Sequence, residues 1–190
     1  MRASSRFSVI ALACLSNICL IAICLSNRAA AQSSDQIVAE RVLGPQWRQL
    51  SRRAGMIFAG TVTAAPQSVT TERMPTDRPD PGPAPEIRWS FRVDEAIAGV
   101  EPGQILTIHE WTGAWSMQRP MRAGEHILIF LYPPSRLGLT SPVGGPLGHF
   151  DLDQTGKYVA NHERKSFAPE ARESVSVVQL ERAIRSAREE

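Results

Sequence analysis

Hydrophobic and polar positions alternate most clearly over Ile87–Ile97, with Ile87, Trp89, Phe91, Val93 and Ile97 on one side and Arg88, Ser90, Arg92 and Asp94 on the other. A period of two predicts a half-buried antiparallel strand with all five apolar residues inward. Met56–Ala64 alternates as well, Met56, Phe58, Gly60 and Val62 opposing Ile57, Ala59, Thr61 and Thr63. A glycine in mid-strand predicts a bulge or sharp bend there. Ile105–Trp111 reads as the strand that returns after the Pro102-Gly103 turn, and His126–Tyr132, apolar on both faces, as a central strand. Phe150–Leu152 and Lys157–Val159 flank Asp153-Gln154-Thr155-Gly156, which has hairpin-turn chemistry.

Helical spacing marks the two ends of the chain. Residues 36–43 and 45–53 carry it, with Asp35 as N-cap, Gly44 as the break and Pro45 at a first helical position. Near the C-terminus Ser176 and Gln179 have capping-box spacing, and Val177, Leu180, Ile184 and Ala187 fall on one face. Residues 65–86 hold Pro66, Pro75, Pro79, Pro81, Pro83 and Pro85, so neither helix nor inner strand is expected there. Residues 112–125 and 133–149 are further long loops. Five or six short strands, long loops and flanking helices predict a small closed or partly open β-barrel with the C-terminal helix packed on it.

Ahead of this pattern Arg2 and Arg6 precede an apolar stretch, Phe7–Leu25, and Ala29-Ala30-Ala31 precede Gln32. These are the three parts of a secretory signal, with cleavage expected after Ala31; retention as a single-pass anchor is the alternative. All three cysteines, Cys14, Cys19 and Cys24, lie inside that stretch. The mature chain would then have neither a disulfide nor a catalytic or metal-binding thiol, although export places it in a periplasmic or extracellular compartment that permits disulfides. Loss of Arg2, Arg6 and Arg28 turns the formal net charge from +2 to about −1. That near-neutrality argues against a nucleic-acid or membrane-surface partner.

Ala54–Val62, Phe91–Gly99 and Gln104–Ile108 together resemble the first three strands of OB-fold domains related to tissue inhibitors of metalloproteinases and netrin modules. The chain, especially Gly138–Gly148, also resembles small secreted bacterial proteins of uncharacterised function. The resemblance implies a mainly β fold, a five- or six-stranded OB-like barrel over residues 54–160. A helical segment over 32–53 precedes it, a linker and C-terminal helix over 161–190 follow, and 1–31 is the signal peptide. It also implies an N-terminal cysteine that chelates a protease's zinc, and a disulfide framework. This chain has neither once the signal is removed, so its function does not follow from the fold.

Candidate chemistry is sparse. His109-Glu110 does not begin a His-Glu-x-x-His motif, and His126, His149 and His162 have no ligand spacing. Asp151-x-Asp153-x-Thr155-Gly156 starts like a calcium loop, but the twelfth position is His162 where a bidentate Glu is needed, so a plain turn is expected. Ser141 sits in a glycine-rich loop before Pro142, and no nucleophile elbow, phosphate loop or dinucleotide fingerprint occurs. No catalytic residue, metal or cofactor is therefore assigned. Trp111, Trp115, Met117, Arg119 and Arg122, with Met121, form an aromatic and cationic mixture suited to an interface, although in a chain of this size tryptophans more often cover the end of the barrel, and that reading is favoured. The expected function is an exported, non-enzymatic protein-binding module with an unknown protein partner, binding through loops 65–86, 112–125 and 133–149. Two alternatives stand beside it. One is a metal-dependent or hydrolytic enzyme assembled in space from His109, Glu110, His126 and Asp151; the other is a non-cysteine protease inhibitor or accessory factor.

Overall fold

The computed structural model describes residues 34–69, 86–111, 121–159 and 175–190. Helix α1 spans 34–43 and α2 Trp47–Arg53, ahead of strands β1 (Met56–Val69), β2 (Glu86–Ala98), β3 (Ile105–Trp111) and β4 (His126–Leu131). A 3-10 turn (Gly145–Gly148), short strands β5 (His149–Asp151), β6 (Tyr158–Val159) and β7 (Val175–Ser176), and helix α3 (Val177–Glu189) complete it. The chain is mainly β. Strands β1 to β5 form one sheet in the order β3-β2-β1-β4-β5 with every pairing antiparallel, and β6 pairs with β7. No helix of the described residues is long and apolar enough to cross a membrane.

Both faces of the sheet are buried along β4 and the first residues of β1, which is why β4 is apolar on both sides. Ile57, Ala59, Leu128 and Phe130 pack beneath Leu43, Trp47 and Leu50 of the N-terminal helices and Leu180, Ile184 and Ala187 of α3. Alternation turns the next residues the other way, so Phe58, Val62, Trp89, Phe91, Val93, Ile108, Ile127 and Ile129 make a second core. Phe58 meets Phe91 edge-on at 5.7 Å between ring centres. Helix α3 carries the capping box expected at Ser176 and Gln179, and it is fixed to α2 by charge. Arg188 donates to the carbonyls of Ser51 and Ala54, each at 2.6 Å, and Arg52 donates to Ala187 O at 2.9 Å. The guanidinium thereby satisfies carbonyls that the end of α2 leaves unpaired.

Four expectations need correction. The loop expected from residue 65 begins later, because β1 runs to Val69; Pro66 falls where the β1–β2 register skips from Ala64↔Ser90 to Gln67↔Arg88. A residue without an N–H fits such an irregularity, and β4 reaches only as far as Thr61, so no second ladder needs one there. Ile97 does not share a face with Val93. The register moves from Gly60↔Val93 to Ala59↔Glu95, leaving Asp94 as a bulge that reverses the alternation and sends Ile97 into the helix-side core. The bend expected at Gly60 thus lies on its partner strand. Met121, grouped with the interface residues, is buried in the second core.

Candidate functional site

Strand register sets Val69, Glu86 and Trp111, the residues that flank two long connections, side by side. Val69 pairs with Glu86 and Glu86 with Trp111, so these residues form one row across β1, β2 and β3. Residues 70–85 connect Val69 to Glu86 in sequence, and residues 112–120 follow Trp111. The third connection, after β4, comes to the same strand: the Thr140 N–H donates to His109 O at 2.9 Å. It is held by further bonds, Thr140 Oγ1 to Tyr132 O at 2.6 Å and the Tyr132 N–H to Ser141 O at 3.0 Å. Trp111 ends β3 with 54% of its surface exposed, and the His109 Nδ1 lies 3.5 Å from Glu86 Oε2 on the outward face. At the turn over 135–139 the Ser135 hydroxyl accepts from the N–H groups of Leu137 and Leu139, and the tip residue Leu137 is 83% exposed. This rim combines an exposed aromatic, an exposed leucine and a few charges. Such a mixture suits recognition of another protein surface.

A second group of polar side chains lies on the outer face at the Asp94 bulge. The Thr61 hydroxyl donates to Asp94 Oδ2 at 2.6 Å, Arg92 Nε donates to Asp94 Oδ1 at 2.9 Å, and His126 Nδ1 lies 3.0 Å from Thr61 Oγ1. With its proton given to Asp94, the hydroxyl accepts from His126, which places a hydrogen on Nδ1. Asp94 is 4.0 Å from the Nδ1 it would have to orient in a triad. The arrangement ties β1, β2 and β4 together.

Of the interface residues expected from sequence, Trp111 is exposed on β3 and Arg122 is exposed, its N–H donating to Glu125 Oε2 at 2.9 Å in the turn before β4. Trp115, Met117 and Arg119 lie outside the described residues. The four residues of the enzymatic alternative do not form one group. His109 faces outward beside Glu86, adjacent Glu110 is buried on the opposite face, His126 contacts Thr61, and Asp151 Oδ1 lies 3.6 Å from His149 Nε2. Among the described residues no three His, Cys, Asp or Glu side chains gather as a metal ion would require. Asp153, the third position of the calcium-like loop, is occupied by its own turn. Its carboxylate accepts from Thr155 Oγ1 at 2.8 Å and from the N–H groups of Lys157 at 3.1 Å and Tyr158 at 3.3 Å. Sequence reasoning missed Thr61, Asp94 and His126 as a group, and Glu86 with His109. These partners are far apart in the chain, and only the register and one bulge bring them together.

Comparison with known proteins finds no match to a family model, a curated protein or a solved structure.

Proposed function

We propose that this chain is an exported, non-enzymatic protein-binding module on an OB-like barrel, and that it binds through the rim at the end of β1, β2 and β3. The observation that carries the reading is the row Val69, Glu86 and Trp111 across β1, β2 and β3, with the segment after β4 bonded to β3 at His109 beside the exposed Trp111. The barrel is supported by two facts. Phe58, Phe91, Ile127 and Ile129 are almost wholly buried although, among the described residues, no helix covers their face, which points to a sheet curled so that its own strands shield one another. The Thr140–His109 bond also links the segment after β4 to the far edge strand, the contact that closure of the order β3-β2-β1-β4-β5 calls for. Export rests on Arg2, Arg6, the apolar stretch Phe7–Leu25 and the three alanines before Gln32.

The test is capture of partners from the exported fraction by the wild-type chain and by Trp111→Ala and Leu137→Ala. A partner retained by the wild type and lost by at least one variant of unchanged circular dichroism is expected. Equal retention by both would remove the rim as the binding surface.

A further inference from the structure

Among the described residues, strand β3 is paired along one edge only from Ile105 to Ile108. Gln104 O accepts from the Val93 N–H, toward β2, whereas His109 O accepts from the Thr140 N–H, away from it. Backbone groups alternate in direction along a strand, so Leu106 and Ile108 bond to β2 while the N–H and C=O of Ile105 and Thr107 point to the open side. Among the described residues nothing pairs with them. The open stretch also lacks the usual protection of an edge. Ile105-Leu106-Thr107-Ile108 contains no charge and no proline, and Ile105 is 62% exposed.

We infer that this edge takes up an extended peptide segment of a protein partner by strand addition, Ile105 and Thr107 each exchanging backbone hydrogen bonds with it. The inference rests on the protein-binding reading above and names how the partner is held. The chemistry of the occupant follows from the edge. Donors and acceptors repeating along an extended backbone are matched by another extended backbone, and specificity comes from alternate side chains. A residue opposite Ile105 or Thr107 shares their outward face; the one between them lies over Leu106, so an apolar residue is favoured there. The segment is short, because Thr140 already occupies the edge at His109.

That stop also selects against a second copy of this chain. Symmetric antiparallel pairing that uses both residues sets Ile105 against Thr107 of the copy, and so sets Gly103 against the copy's His109 position. The copy's own residues 138–140 occupy that place. A single strand with no such attachment fits.

The probe is a synthetic peptide of alternating valine and threonine with a lysine at each end, tested against the mature chain beside a version N-methylated at alternate residues. Amide exchange of Ile105 and Thr107 is expected to slow at least tenfold with the plain peptide and to stay unchanged with the methylated one. Thr107→Pro removes an outward N–H without touching a bond to β2, so it is expected to keep the fold and abolish this protection. Protection elsewhere, equal effects of both peptides, or none at millimolar peptide would overturn the inference. Those outcomes are separable from failure of the rim, which Trp111→Ala reports.

Discussion

At single positions the sheet is governed by how closely backbones approach. A Cβ on Gly60 would come within 2.5 Å of Arg92 O and 3.2 Å of the Phe58 ring. Backbone cannot give way as a flexible side chain does, so Gly60→Ala is expected to lower stability by roughly 1–3 kcal/mol, read as a fall in the denaturant midpoint at unchanged slope. Asp153 sets a second test. Desolvation in the turn is the largest single influence on its carboxyl and raises the pKa. The hydrogen bonds from the Thr155 hydroxyl and the N–H groups of Lys157, Tyr158 and Thr155 together outweigh it and hold the group below its ordinary value of 3.8. A carboxyl whose folded pKa is depressed adds stability above the unfolded value, and that stability is lost as pH falls through the folded one. Melting curves from pH 5 to pH 2 should therefore fall less steeply for Asp153→Asn than for the wild type. Equal slopes would show that the turn does not depend on the charge. The turn was legible because Asp, Thr and Gly act within four residues, whereas the Thr61, Asp94 and His126 contacts were not, since no local rule connects separate strands.

At the scale of elements, period decided what could be read. β3 and β4 were recovered at nearly their full lengths, β3 from the Pro102-Gly103 turn that precedes it and β4 because it is apolar on both faces; in β3 Glu110 is buried while Ile105 and Trp111 are exposed. Strand β2 was recovered with a wrong face for Ile97, because one extra residue at Asp94 reverses the side chains from there to Ile97, before the register shifts again ahead of Ala98, and leaves no mark on composition. The proline at 66 misled for the opposite reason: a breaker in a central strand is tolerated in a two-stranded ribbon at a register skip. Helix α3 announced itself through its cap. The Gln179 N–H donates to Ser176 Oγ at 3.2 Å, and the Ser176 N–H donates to Gln179 Oε1 at 3.4 Å. Ser176→Ala is expected to cost about 1 kcal/mol and Ser176→Asp, which keeps an acceptor, much less, both measured by urea unfolding. An equal loss in both would assign the effect to the β6–β7 pair rather than to the cap.

Across the whole molecule the two cores share one sheet, and that arrangement predicts how it unfolds. Phe130 supports the helices on one face of β4, while Ile129 beside it faces Phe58 and Phe91 on the other. Neither core can loosen without disturbing strands that the other needs. Loss of a buried phenylalanine costs about 3–5 kcal/mol where the cavity does not collapse, a large part of the 5–15 kcal/mol that holds a typical domain together. Phe130→Ala and Phe91→Ala, one from each core, are therefore expected to lower the midpoint comparably, and each to keep a single transition in which near- and far-ultraviolet circular dichroism coincide. A separate early transition in Phe130→Ala alone, with Trp47 signal lost before Trp89 signal, would mean that the helix layer is an independently unfolding cover. In that case the β3 rim and its edge would outlast the helices, and binding at that rim would persist after the first transition.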